Sequence, residues 1–161
     1  MREIPLKFAL MPRPRGGEWL AGEVLGWRES GILTVVSLLE GNEAIELELE
    51  NEEALCNSAG LYFISYPIPD RGVPEVRAGF TELVTSLAER LRGGDSVAVH
   101  CRAGIGRSGL VSACVLGLLG VAPDAAFAML SRTRGVAVPD TEAQAEWVRE
   151  FMRGRTGTNR R

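Results

Sequence analysis

The sequence predicts an α/β domain with a mostly parallel central sheet flanked by helices. Two observations lead to this prediction. Three short apolar runs rich in β-branched residues are spread along the chain, and amphipathic or apolar helical patterns lie between and after them. Alternation of strand and helix is typical of α/β folds with a parallel sheet. The 161 residues fit a single domain.

The predicted strands are the apolar runs at residues 31–38, 61–66 and 96–100. Their apolar residues are continuous rather than alternating, which is typical of strands buried on both faces of a sheet. We therefore place all three strands inside the domain.

Four helices are predicted after the first strands. Apolar side chains spaced three and four residues apart give residues 74–93 one apolar face. Residues 109–119 are apolar nearly all round, as in a helix buried on several sides. Residues 123–134 begin with proline and are followed by Gly135, which favours a helix between them. A last helix covers about residues 141–152.

Two charged segments are of a different kind. Residues 40–53 contain seven glutamates; we predict that they are helical and form a solvated face, with contact to a basic partner as the alternative. Residues 153–161 contain four arginines and no apolar side chain. We therefore expect a single domain over residues 1–153 and a disordered basic tail over residues 154–161.

Composition narrows the function classes. The chain has 18 Lys and Arg against 21 Asp and Glu, a net charge of −3, so no overall basic field favours nucleic acid. The N-terminus lacks an uninterrupted apolar signal segment, and the apolar stretch at residues 109–122 is shorter than the roughly 18 residues that span a bilayer. Three cysteines without metal-type spacing favour a reducing compartment. We expect a cytoplasmic monomer without membrane anchor, metal or cofactor.

The most informative segment, residues 99–109, joins a predicted strand to the predicted buried helix. Helix-start N–H groups have no intrahelical partner and carry a partial positive charge, which favours anions. Gly104 and Gly106 let the backbone wrap closely around a ligand. Arg107 offers a planar fork of donors that suits phosphate. Cys101 lies at the mouth of this cradle, where the dipole and the guanidinium favour a nucleophilic thiolate.

This segment resembles the H-C-x-x-G-x-x-R-[ST] signature of the cysteine-dependent protein tyrosine and dual-specificity phosphatases, and it matches every defined position. The resemblance covers residues 32–151 and is similar in spacing to the small cyclin-dependent-kinase-associated phosphatases. It implies the phosphotyrosine-phosphatase fold, with Cys101 as the nucleophile. The substrate-binding residues it implies are Arg102, Ala103, Gly104, Ile105, Gly106 and Arg107. The alternative is a buried strand-end cysteine beside an ordinary glycine turn.

Residues 66–74 resemble the mobile acid loop of the same family. Asp70 then takes the place of the general acid, which the reaction needs because an unprotonated alkoxide is a poor leaving group. The alternative is an ordinary turn, since Pro-Asp-x-Gly is common in turns. Ile68 stands where the larger tyrosine phosphatases carry tryptophan, as in the small dual-specificity group.

Three residues have weaker supporting roles. The resemblance implies that His100 supports the loop backbone, in preference to proton transfer, and that Ser108 donates to the cysteine sulfur; Ser108 could also be a helix cap. Gln144 either positions water in the second step or forms a capping box with Thr141, and both alternatives stay open.

The two other cysteines are predicted to fill the core. Cys56 and Cys114 are expected to be buried. For Cys114 the alternative is a disulfide with oxidised Cys101.

Together these residues predict a phosphomonoester hydrolase that acts through a phosphocysteine, with a phosphorylated protein as substrate. Backbone amides and the guanidinium supply the positive charge, so no metal is expected. A phosphoinositide or an RNA 5′-phosphate is the alternative substrate; Arg102 adds a cation where lipid-directed relatives often carry lysine. The alternative classes are a non-catalytic phosphoprotein-binding module and a sulfur-transfer or arsenate-reducing enzyme.

Overall fold

The structure is a computed structural model that describes residues 7–156. Its sheet contains β1 (Phe8–Met11), β2 (Thr34–Ser37), β3 (Tyr62–Ser65) and β4 (Val97–His100). The strand order is β1-β4-β2-β3, and every neighbouring pair is parallel. The predicted α/β class with a parallel sheet is confirmed.

Helices cover both faces of the sheet. In the described residues they are α1 (Leu20–Glu29), α2 (Gly41–Glu46), α3 (Glu52–Ser58), α4 (Arg77–Arg92), α5 (Arg107–Leu118), α6 (Pro123–Arg134) and α7 (Glu142–Thr156). The larger core joins the sheet to α4, α5, α6 and α7, and a second core joins it to α1 and α3. Successive strand residues alternate between faces, so Val36 lies in the first core and Val35 in the second.

The three predicted strands are confirmed, with one correction. β3 pairs only with β2, and its end residues Tyr62 and Ser65 are exposed, so the prediction that it is buried on both faces is wrong. The sequence analysis missed β1 and α1. The β1 residues Phe-Ala-Leu-Met carry no strong strand preference, and they are extended because they pair with β4.

The acidic segment forms α2 and α3, which confirms the predicted helix, with a turn between them at Glu48 (φ 56°). The prediction of a solvated face is wrong for two of the seven glutamates, because Glu43 and Glu52 are buried. Glu43 pairs with Arg107 and Glu52 lies 2.6 Å from His100, and both of these partners belong to the cysteine segment.

The last helix is longer than predicted. α7 continues to Thr156, so the predicted disorder is wrong for residues 154–156, while residues 157–161 lie outside the described part of the chain. The buried Phe151 packs against Phe80. The guanidinium of Arg155 lies 5.8 Å from the centre of the Phe151 ring. Cations near a helix C-terminus are also favoured by the helix dipole. Within residues 7–156, no helix combines the length and the apolar character that a membrane span requires.

Candidate active site

The cysteine segment lies at the carboxyl edge of the sheet. His100 ends β4, in register with Met11 of β1 and Ser37 of β2, and Cys101 follows at once. The next residues form a loop, and α5 begins at Arg107. The segment therefore joins a strand end to a helix start, as the sequence predicted.

The two loop glycines are required by the chain packed behind them. Gly104 has φ 72°, and a Cβ there would lie 2.5 Å from the carbonyl carbon of Met11. A Cβ at Gly106 would lie 3.0 Å from Oε1 of Gln144. These contacts show that the glycines let the loop lie against β1 and the start of α7. That they also let the backbone wrap around a ligand stays a prediction.

The nucleophile candidate and a hydroxyl are paired. Cys101 Sγ lies 2.7 Å from Ser108 Oγ, and both side chains are buried in the described structure. This is the contact that the resemblance implies for Ser108. A hydroxyl at this distance can donate a hydrogen bond to a sulfur that carries negative charge.

Arg107 is held by a buried carboxylate that the sequence analysis missed. Its Nη1 and Nη2 donate to the two carboxylate oxygens of Glu43 at 2.7 and 2.9 Å, with 2% and 6% of the side chains exposed. Burial alone would raise the pKa of Glu43. The hydrogen bonds from Arg107 and the Glu40 backbone, with the charges of Arg107 and Arg102, outweigh burial and keep that pKa below its ordinary value.

The acid loop reaches the same guanidinium. Asp70 lies in a tight turn closed by the Gly72 N–H donating to the Pro69 carbonyl at 2.8 Å. Arg107 Nη2 donates to Asp70 Oδ1 at 3.1 Å, and Nη1 donates to the Ile68 carbonyl at 3.0 Å. The turn that the sequence offered as the alternative is therefore present, and it places Asp70 beside Arg107; the role of Asp70 as general acid stays a prediction.

A pocket of about 210 Å³ lies between the two loops. Its lining includes Cys101 and Arg107 at the base, Asp70 and Arg71 from the acid loop, and Asp140 ahead of α7. Arg102, Ala103, Ile105 and Gly106 complete it. In the part of the chain that the structure describes, no group of three or more His, Cys, Asp or Glu side chains is placed to hold a metal ion.

A family model described as "Polymorphic toxin system, DSP-PTPase phosphatase" matches residues 11–120, more than half of the chain. The chain belongs to this phosphatase family. The resemblance stated from the cysteine signature is therefore confirmed, and so is the prediction of a tyrosine or dual-specificity phosphatase at the level of the family.

Individual relatives agree with the family. Cyclin-dependent kinase inhibitor 3 of Rattus norvegicus is 31% identical over 126 residues, which are 77% of this chain and 59% of that protein. The chain thus spans about three fifths of the length of this relative.

Two solved structures show the same fold. The crystal structure of kinase associated phosphatase with its catalytic cysteine substituted by serine matches with TM-score 0.83 and 24% identity, covering 91% of this chain and 86% of that one. Tk-PTP in its active form matches with TM-score 0.70 and 29% identity, covering 91% and 90%.

Both ring nitrogens of His100 have hydrogen-bond partners. Nδ1 lies 3.3 Å from the Cys101 carbonyl and Nε2 lies 2.6 Å from Oε1 of Glu52, with both side chains buried. The histidine contacts the loop backbone, as the resemblance implies. Since it does not line the pocket, direct proton transfer to substrate is not supported.

Gln144 forms the capping box. Its N–H donates to Thr141 Oγ1 and its Oε1 accepts from the Thr141 N–H, both at 3.1 Å. Its remaining Nε2 donates to the Gly72 carbonyl of the acid loop at 3.1 Å. Gln144 is buried and does not line the pocket; its amide binds Thr141 and the acid loop, and its role in positioning water stays a prediction.

The remaining thiols are packed in the two cores. Cys56 lies in the core beneath α1 and α3, where burial and the charge of Glu52 raise its pKa to about 12. Cys114 lies in the larger core, and burial raises its pKa. Such thiols are poor nucleophiles, which favours the predicted packing role over a disulfide between Cys114 and Cys101.

Besides Arg71 of the acid loop, which lines the pocket, four site residues were missed from the sequence: Glu43, Glu52, Arg134 and Asp140. Only Glu43 had a local signal, since Glu40 and Glu43 form a capping box at the start of α2. The other three contact the site through pairings between distant parts of the chain.

Proposed function

We propose that this chain hydrolyses phosphomonoesters through a phosphocysteine intermediate, with a phosphorylated protein as its substrate. One observation carries the proposal: a nucleophile, a guanidinium and a carboxyl group line the same pocket, in Cys101, Arg107 and Asp70. The two residue types needed for attack and for leaving-group protonation come from different loops and meet there.

In the first step, the Cys101 sulfur forms a bond to phosphorus and the ester P–O bond breaks. Asp70 gives its proton to the departing oxygen, which leaves as an alcohol or phenol. The start of α5 and Arg107 bind the phosphoryl oxygens and stabilise their charge in the transition state.

Binding of phosphate frees Asp70 for this role. Both Arg107 terminal nitrogens already donate one hydrogen to Glu43; the second hydrogens go to Ile68 and Asp70. Of the five guanidinium N–H groups, the one on Nε and the one now facing Asp70 therefore remain for a phosphate. A phosphoryl group that takes the latter displaces Asp70 toward the leaving oxygen.

In the second step, water attacks the phosphocysteine and the P–S bond breaks. The Asp70 carboxylate takes a proton from that water, and inorganic phosphate leaves. Ser108, 2.7 Å from the sulfur, donates a hydrogen bond to the departing thiolate. Gln144 acts in this scheme through the acid loop, because its Nε2 donates to the Gly72 carbonyl at 3.1 Å.

The family match supports a protein phosphomonoester over a phosphoinositide or an RNA end. The charges of the pocket lining are mixed, with carboxylates at Asp70 and Asp140 and cations at Arg71, Arg102 and Arg107. Asp140 pairs with Arg71 at 3.7 Å, and Arg102 donates to Glu46 at 3.2 Å. Both the nucleophile and the acid are present, which disfavours a purely phosphate-binding module. Cytoplasmic location and the monomeric state stay predictions.

The test is hydrolysis of an aryl phosphate by Cys101→Ser, with Cys114→Ala as a control that removes a thiol elsewhere. Turnover is expected to be lost only in Cys101→Ser, while a phosphotyrosine peptide still binds because Arg107 and the loop amides remain. Retained turnover in a clean preparation would contradict the assignment. A panel of phosphopeptides, phosphoinositides and 5′-phosphorylated RNA then ranks the substrate classes.

A further inference from the structure

Successive carbonyl groups of the cysteine loop are each bound from outside the loop. The Arg102 carbonyl accepts from the Arg13 backbone N–H at 3.1 Å. The Ala103 and Gly104 carbonyls accept from Nη2 and Nε of Arg134, each at 3.0 Å. Arg134 is the last residue of α6, so one guanidinium from a separate helix binds two consecutive peptide groups of the loop.

The orientation of these carbonyls determines where the loop amides point. In a planar trans peptide the C=O of one residue and the N–H of the next point in opposite directions. The N–H groups of Ala103, Gly104 and Ile105 therefore point away from the groups that bind the carbonyls. Among residues 7–156, these three amides find no hydrogen-bond partner, and Ala103 and Ile105 line the pocket.

The loop needs such an external constraint because it contains glycines. Gly104 and Gly106 can adopt backbone conformations that other residues disfavour. Rotation of a single peptide plane would turn a carbonyl oxygen toward the phosphate and its amide away. That rotation would also break a charge-assisted hydrogen bond to Arg134, which disfavours it.

We propose that Arg134 is a positioning residue that holds the cysteine loop with its amides facing the phosphoryl group. It acts through the backbone of Ala103 and Gly104 and does not touch the substrate, since it is absent from the pocket lining. The planar fork matters because Nε and Nη2 reach two carbonyls at once, which an ammonium on a shorter side chain does not reproduce. This inference rests on the proposed function of the loop as a phosphate cradle.

The experiment measures the binding of orthovanadate by calorimetry, together with kcat and KM for an aryl phosphate, in Arg134→Ala and Arg134→Lys. Arg132→Ala is the matched control, because Arg132 is an exposed arginine on the same helix. We expect Arg134→Ala to lose about tenfold or more in both orthovanadate affinity and kcat/KM. Arg134→Lys should recover only part of each, and Arg132→Ala should match the parent chain.

Rescue by added guanidinium ion distinguishes the loss of the Arg134 contact from a loss of folding, because the added ion would not restore the activity of an unfolded chain. The ion should restore part of the activity of Arg134→Ala and leave Arg132→Ala unchanged. If Arg134→Ala does not fold, the proposal is judged on Arg134→Lys, and orthovanadate affinity within twofold of the parent would overturn it.

Two further outcomes would overturn the proposal. One is unchanged orthovanadate affinity in folded Arg134→Ala. The other is a loss confined to KM for phosphopeptides, which would make Arg134 a substrate contact. If the parent chain binds orthovanadate but hydrolyses no phosphomonoester, the proposed function fails while the role of Arg134 in anion binding is still measured.

Discussion

Replacing Glu43 by glutamine tests how much the carboxylate that binds Arg107 contributes to stability and catalysis. Glu43→Gln keeps the shape of the side chain, but one of the two acceptor oxygens at 2.7 and 2.9 Å becomes an NH₂ group that faces the guanidinium. A hydrogen bond to a charged group contributes about 1.5–3 kcal/mol, and its loss should lower the free energy of unfolding by that amount. The pair is almost fully buried, so solvent screening does not reduce this figure.

The same loss should appear in catalysis. Arg107 must hold its orientation in the transition state, and each 1.4 kcal/mol corresponds to about a factor of ten, so kcat/KM should fall by about 10- to 150-fold. Glu46→Gln is the control: it lies on the same helix, has 64% of its side chain exposed, and pairs with Arg102. We expect it to cost less than about 1 kcal/mol.

The assay is urea unfolding and aryl phosphate kinetics on both variants, repeated from neutral to acidic pH. The pKa of Glu43 lies below its ordinary value of 4.5 in the folded chain, so its stabilising effect is present above that value and is lost as pH falls through the folded pKa. The stability gap between the parent chain and Glu43→Gln should therefore shrink in acid. The reasoning would be refuted if Glu43→Gln and Glu46→Gln lost the same free energy of unfolding. It would also be refuted if the loss in Glu43→Gln did not change with pH.

Three further predictions concern the acid, the guanidinium and the glutamine. Asp70→Ala should slow alkyl and phenyl phosphates far more than substrates with good leaving groups; equal losses across a leaving-group series would make Asp70 only a turn residue. Arg107→Lys should fail almost as badly as Arg107→Ala in kcat, because lysine cannot bind a carboxylate and a phosphate with one planar group; near-normal kcat with a changed KM would exclude the transition-state role. Gln144→Glu keeps the acceptor for the Thr141 N–H but loses the donor to Gly72. It should lower kcat/KM for poor leaving groups, and it should also lower the melting temperature because a buried carboxylate then faces the Gly72 carbonyl, whereas accumulation of phosphocysteine at unchanged kcat/KM would assign Gln144 to water.

Local patterns explain what the sequence could predict. The signature around Cys101, the acid loop at Asp70 and the fold class rest on short segments whose spacing is visible in the chain. The cap between Thr141 and Gln144 is equally local, but its third hydrogen bond crosses to Gly72, and this contact has no signal in the sequence.

The supporting contacts depend on tertiary structure. Glu43 and Arg107 are 64 positions apart, and Glu52 and His100 are 48 apart. A run of seven glutamates shows a high density of charge, but it does not show which two turn inward. That choice is made by the helices α2 and α3, which bring the buried pair against the cysteine segment.

Because Cys56 and Cys114 are buried outside the pocket, thiol labelling can measure the fraction of molecules that have an assembled active site. All three thiols are buried, but only Cys101 lines the pocket, so an alkylating reagent at neutral pH should add one label per folded chain and leave two thiols intact. Intact-mass spectrometry then gives the fraction of molecules with an assembled pocket, and orthovanadate should protect that single position. Rates from different preparations and variants can be normalised to this fraction, so that a loss of chemistry is distinguished from a loss of properly folded protein.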